Sequence, residues 1–108
     1  MSRKEEEKIS KIIGEMTRYL LVKHVSRFNI SIDKQEASMQ IVFSIEDLSL
    51  DILDDMKKKL KYGRDEEIET YGWTLMGNTD LEISPRLLDD VIYEQNGNQT
   101  RIKLVRLH

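Results

Sequence analysis

The C-terminal stretch, residues 87–107, decides the fold and reads LLDDVIYEQNGNQTRIKLVRL. Two short runs, Val91 to Gln95 and Gln99 to Leu107, are rich in the β-branched and aromatic residues that strands favour. The tripeptide Asn96-Gly97-Asn98 between them is typical of a tight hairpin turn. The stretch therefore predicts the end of a helix at 87–90, a strand, a turn and a second strand.

The N-terminal half also combines a helix with a hairpin. From Lys4 to Val25 the apolar residues follow the spacing of a helix with one buried face; they are Ile9, Ile12, Ile13, Met16, Tyr19 and Leu20. The opposite face is expected to be solvated and carries Lys11, Glu15, Arg18 and Lys23. Period two follows, in Phe28, Ile30 and Ile32 and then in Met39, Ile41, Phe43 and Ile45. Two such runs with a short polar link predict an antiparallel hairpin.

The middle of the chain returns to helical spacing. A helix is predicted around 52–60, with either Asp47 or Ser49 as its N-cap. A shorter helix is predicted around 68–75, and Ser84-Pro85 is typical of the start of another that runs to about Asp90. Strands grouped into hairpins predict an α+β fold with two layers, in which about four strands form one sheet and the helices cover one of its faces.

Size and composition narrow the functional classes. The 108 residues predict a single domain spanning 1–108, and the net charge of −3 argues against a nucleic-acid or membrane partner. The chain has no cysteine, which excludes disulfides and thiol chemistry. Its first residues are too charged for a signal peptide, and no apolar run is long enough to span a bilayer. We therefore expect a cytoplasmic protein.

The C-terminal stretch resembles the end of the anti-sigma factors of the serine-kinase type, in the histidine-kinase-like ATPase superfamily. The matching pieces are Leu87-Leu88-Asp89-Asp90-Val91, Asn96-Gly97-Asn98 and Thr100-Arg101-Ile102-Lys103-Leu104. The order of a helix followed by a hairpin in the first half also agrees with that family. The resemblance implies a histidine-kinase-like ATPase fold with a mixed sheet.

The groups with which the family holds ATP are mostly replaced in this chain. The family's magnesium-binding Asn corresponds to Tyr19 or Leu20, neither of which offers an amide oxygen. Its Asp-x-Gly-x-Gly motif corresponds to residues 47–51, where Asp47 is retained but Ser49 and Asp51 replace the glycines. Its later Gly-x-Gly falls near residues 80–82, which are acidic. We therefore expect no bound nucleotide and no other cofactor.

Individual candidate residues each have a plainer alternative. Asp47 would contact adenine if ATP were bound, but a helix N-cap is the preferred interpretation. His24 is interpreted as a helix-end histidine and not as a general base or ligand. The basic run 57–64 and the acidic residues are interpreted as solvated surface and not as nucleic-acid or metal sites; the acidic residues are Glu66, Glu67, Glu69, Asp80 and Glu82.

Tyr71 and Trp73 form the candidate interaction patch, because large aromatic side chains are favoured at protein interfaces. Their alternative role is in the core. The first hypothesis is a non-enzymatic regulatory or protein-interaction domain on a degenerate ATPase fold, without catalytic residues or a metal. The second is an ATP-binding anti-sigma factor serine kinase. The third is a small homodimeric scaffold unrelated to that family, which a sheet unlike the family's mixed sheet would favour.

Overall fold

One antiparallel sheet with a layer of helices on one face makes up the α+β fold, as the sequence predicts. The computed structural model describes residues 3–70 and 81–107. The elements in chain order are α1 (Arg3–Val22), β1 (Phe28–Lys34), β2 (Ser38–Glu46), α2 (Leu50–Lys59), α3 (Glu66–Thr70), a 3-10 turn (Ser84–Leu87), β3 (Asp90–Asn96) and β4 (Gln99–Leu107). Within these described ranges no helix is both long and apolar enough to cross a bilayer.

The sheet consists of the two predicted hairpins joined side by side, in the order β1-β2-β4-β3. All of its pairings are antiparallel, and the central β2–β4 pair sets Ile41 opposite Leu104 and Phe43 opposite Ile102. Asn96 lies opposite Gln99, so the C-terminal hairpin closes through a two-residue loop. Gly97 in this loop has a φ of +65°, a conformation that glycine adopts without steric cost.

The core lies between α1 and the helix-facing side of β2 and β4. Alternate residues of the two central strands are buried in it; they include Met39, Ile41, Phe43, Ile45, Ile102 and Leu104. From α1, Ile12, Met16 and Leu20 are fully buried against them. The predicted helical face of α1 is therefore confirmed as its core face.

A polar contact links α1 to α2 beside this core. The Tyr19 hydroxyl donates a hydrogen bond to the Asp55 carboxylate, and Lys59 Nζ lies 3.2 Å from the same carboxylate. The hydrogen bond from Tyr19, followed by that from Lys59, lowers the pKa of Asp55. Met56 of α2 is fully buried and belongs to the same core.

One predicted helix start is decided between its two alternatives, and another predicted helix needs correction. Ser49 is the N-cap of α2, since its Oγ accepts a hydrogen bond from the Ile52 amide at 3.3 Å, so Asp47 is not the cap. The helix predicted from Ser84 to Asp90 is a single 3-10 turn that ends at Leu87 and has Ile83 as its N-cap. It stops there because Leu88 is already extended, with φ −112° and ψ 145°, as the chain enters β3.

Glu15 was expected to be solvated, and this prediction is wrong. Its side chain is buried, and Oε1 accepts hydrogen bonds from the Ser84 amide at 2.8 Å and from the Ser84 hydroxyl at 2.7 Å. The Ile83 amide donates to the same carboxylate at 3.2 Å. The N–H groups at the start of the 3-10 turn are buried against α1 and need an acceptor, which the carboxylate supplies.

Candidate interaction surface

The Arg106 guanidinium lies on the helix-facing side of β4 and is only 1% exposed. It makes two hydrogen bonds to the Glu5 carboxylate, at 2.7 and 2.8 Å, and two to the Glu69 carboxylate, at 2.6 and 3.0 Å. A fifth goes to the Leu87 carbonyl at 2.8 Å. These bonds engage all the donors that a guanidinium has, so Arg106 has a structural role and no free donor for a ligand.

Further charges surround this Arg106 cluster, which we define as Arg106, Glu5 and Glu69. Lys8 Nζ lies 2.9 Å and Arg64 Nε 3.1 Å from the Glu69 carboxylate. Burial alone would raise the pKa of Glu69, but the hydrogen bonds from Arg106 and Lys8 outweigh it and hold that pKa at about 2. The hydrogen bond from Arg106 also lowers the pKa of Glu5. The cluster therefore links α1 and α3 to the end of β4 through a network of ionised side chains.

Asp47 and His24 line the same cavity, of about 280 Å³, between the end of α1 and the turn after β2. The volume is near the lower limit of the roughly 300–1,000 Å³ typical of small-molecule pockets. Both residues are non-glycines with positive φ, +55° at Asp47 and +65° at His24. The Asp47 carboxylate accepts a hydrogen bond from the Asn98 amide at 3.3 Å, which links the turn to the C-terminal hairpin.

His24 terminates α1, as the preferred sequence interpretation had it. Its amide donates to the Leu21 carbonyl at 3.0 Å, and the Val25 amide donates to the Leu20 carbonyl at 2.9 Å. This pair of bonds, with a left-handed residue between helix and loop, is the Schellman motif. The side chain of His24 is exposed.

Glu69 was interpreted as solvated surface, and this interpretation is wrong, because its carboxylate is held in the Arg106 cluster and its side chain is only 19% exposed. Lys57, from the basic run, lies 5.3 Å from the centre of the Tyr93 ring. In the described part of the chain no three histidine or acidic side chains gather into a group that could hold a metal ion. The predicted interaction residues Tyr71 and Trp73, like Asp80, lie outside the described residues.

The edge strand β1 carries two exposed apolar side chains, Ile30 and Ile32. Ile30 and Ile32 lie opposite Phe43 and Ile41, so they point to the helix-facing side of the sheet. They are nevertheless 38% and 52% exposed, so the helix layer covers them only in part. The charged residues of β1, Asp33 and Lys34, lie at its C-terminal end. Natural sheets usually protect such an edge with charges, prolines or bulges.

The hydrogen-bond pattern shows which backbone groups of β1 face outward. The Glu46 amide donates to the Arg27 carbonyl at 3.2 Å, and the Gln35 amide donates to the Ser38 carbonyl at 2.8 Å. Bonded pairs alternate along an antiparallel ladder, so the odd-numbered residues of β1 bond to β2. The even-numbered residues Phe28, Ile30 and Ile32 therefore direct their N–H and C=O groups to the open edge.

The opposite edge, β3, is better protected. Tyr93 carries the Lys57 ammonium above its ring, and the Tyr62 hydroxyl hydrogen-bonds to Asp90, which raises the pKa of Tyr62. These contacts bring α2 and the segment after it alongside β3. The difference in exposure and contacts between the two edge strands makes β1 the candidate interaction surface, which is defined here as residues 27–34.

Period-two alternation in the sequence identified β1 as a strand but not as an edge, and the predicted interaction patch was placed elsewhere. No known family model, curated protein or solved structure matches this chain. The functional assignment therefore rests on the surface of the chain itself.

Proposed function

We propose that this protein is a non-enzymatic protein-interaction domain whose binding element is the open edge of β1. The observation that carries this proposal is the pair of exposed isoleucines, Ile30 and Ile32, on an edge that no strand of the described residues pairs with and whose backbone groups point outward. A partner strand added at such an edge gains main-chain hydrogen bonds, and its side chains cover the exposed apolar ones. Burial of both isoleucines by the partner would add a hydrophobic contribution to the binding free energy.

Nucleotide binding is the alternative that the resemblance to the ATPases suggests. The position of the ATPases' Asp-x-Gly-x-Gly motif is occupied in this chain by Asp47, which accepts a hydrogen bond from Asn98, and by Ser49, which caps α2. The described sheet contains only antiparallel pairings, a feature that favours an unrelated interaction scaffold over the mixed sheet of the ATPases. Calorimetry with ATP and magnesium tests this point, and micromolar binding would overturn the proposal of a non-enzymatic domain.

The proposal is tested by affinity purification of the tagged protein from its native cell, with co-purifying proteins quantified by mass spectrometry. If an untagged copy of the same chain is recovered with the tagged protein, it is scored as a partner. Replacement Ile32→Lys puts a charge on the β1 edge and is expected to reduce partner recovery at least about tenfold, since a buried lysine there would lose its hydration. Ile92→Lys, at an exposed isoleucine of β3, is the matched control and should retain the partner. Equal recovery with both variants would contradict the proposal.

A further inference from the structure

We infer that the partner of β1 is a second copy of the same chain, whose β1 pairs with it antiparallel across a twofold axis. This inference rests on the proposed function and specifies its partner. The two four-stranded sheets would then continue into one another edge to edge. A twofold axis makes such an interface isologous, so each residue that contributes to it contributes twice.

The geometry of β1 restricts how two copies can pair. The outward N–H and C=O groups belong to Phe28, Ile30 and Ile32, whose side chains all lie on the helix-facing side. If the twofold axis is perpendicular to the sheet, the helix-facing sides of the two copies lie on the same side of the joined sheet. Even-numbered residues of one copy then lie opposite even-numbered residues of the other. The same pairing thus satisfies the edge hydrogen bonds and brings the apolar side chains together.

Apolar contacts favour a register centred on Ile30. In that register Ile30 lies opposite Ile30 of the second copy, and Phe28 lies opposite Ile32 in both directions. Every helix-facing position from 28 to 32 then meets an apolar partner. Moving the centre to Ser31 would instead place Phe28 opposite Lys34.

Charge complementarity on the other side of the sheet selects the same register. Pairing about Ile30 sets Arg27 of each copy opposite Asp33 of the other. The Arg27 side chain is 80% exposed, and its pair with Glu46 is long, at 3.9 Å, so Arg27 is available for this contact. A centre at Ser31 would place Arg27 opposite Gln35, and a centre at Asn29 would place it opposite Ser31, so either shift loses both ion pairs.

A dimer formed through one strand pair is expected to be reversible. A single strand pair is expected to bury much less than the roughly 1,200–2,000 Å² buried by stable complexes. The full chain is therefore expected to show a monomer–dimer equilibrium in sedimentation velocity between about 1 µM and 1 mM. A monomer throughout this range would overturn the inference.

Substitution at the axis tests the location of the interface. Ile30→Lys would set two lysines opposite each other and is expected to weaken dimerisation at least about tenfold. Ile92→Lys on β3, where the isoleucine is equally exposed at 38%, should leave the dimerisation constant unchanged. Circular dichroism identifies variants that retain the fold. A folded Ile30→Lys variant that dimerises normally would overturn the inference.

Charge reversal tests the register without touching the core. Arg27→Asp and Asp33→Arg each create two like-charge pairs and are expected to weaken the dimer about fivefold. The double variant restores two ion pairs with reversed polarity and should recover the original dimerisation constant. Failure of the double variant to recover would overturn the Ile30-centred register.

The failures of the inference and of the proposed function are distinguishable. A monomeric protein that still captures a different partner through Ile32 would overturn the second copy as occupant and leave the proposed function intact. A protein that neither dimerises nor loses any partner on Ile32→Lys would overturn both.

Discussion

At the residue scale, Arg106 is the position where one substitution should be most damaging. Arg106→Leu leaves the carboxylates of Glu5 and Glu69 half-buried without their partner, and removal of one member of a buried ion network costs about 3–5 kcal/mol. Urea unfolding should therefore show a free energy of unfolding lower by that amount. The control is Arg101→Leu, an exposed position of the same strand, which should change it by less than about 0.5 kcal/mol. A loss below about 1 kcal/mol for Arg106→Leu would show that the network contributes little.

The same residue shows how far the sequence alone can be taken. Alternation along β4 places Arg106 on the same side as Ile102 and Leu104, so its burial was open to prediction. Its partners were not, because Glu5 is 101 residues and Glu69 37 residues away along the chain. Glu15 was missed for the same reason, since its acceptor role depends on amides 68 and 69 residues later.

At the element scale, the end of α1 carries a conformation that suits glycine better than histidine. His24 has a φ of +65°, and a left-handed conformation costs a non-glycine residue roughly 1 kcal/mol. His24→Gly should therefore raise the free energy of unfolding by about 0.5–1 kcal/mol, measured by urea denaturation. Arg18→Gly is the control in the exposed middle of the same helix, where glycine should lower it by about 1 kcal/mol. Destabilisation by His24→Gly would indicate that the imidazole makes a contact worth more than the strain.

Elements with a strong local pattern were predicted, and features that depend on their arrangement were not. The first hairpin follows from period two, the second follows from its strand-like runs and its turn residues, and the core face of α1 follows from its helical spacing. The 3-10 turn was overestimated because Ser84-Pro85 signals the start of a helix but says nothing of its length. The open edge of β1 was missed because an alternating strand has the same pattern at the edge of a sheet as at its centre.

At the scale of the whole molecule, the Arg106 cluster makes the free energy of unfolding depend on pH. The pKa of Glu69 is about 2 in the folded protein against an ordinary value of 4.5, and the pKa of Glu5 is also lowered. A carboxylate with a lowered folded-state pKa contributes stability above its unfolded pKa. This contribution is lost as the pH falls from 4.5 towards 2, where the folded state must also be protonated.

Urea unfolding as a function of pH measures this loss and assigns it to one residue. Glu69→Gln removes the titrating group, so its free energy of unfolding should lie below that of the unmodified protein at pH 7 and approach it as the pH falls below about 4. Glu94→Gln, which alters an exposed pair with Lys103, should run parallel to the unmodified protein across the same range. A constant difference between Glu69→Gln and the unmodified protein would mean that Glu69 does not couple folding to pH. A difference that narrows as the pH falls would show that ionisation of Glu69 in the Arg106 cluster couples folding to pH.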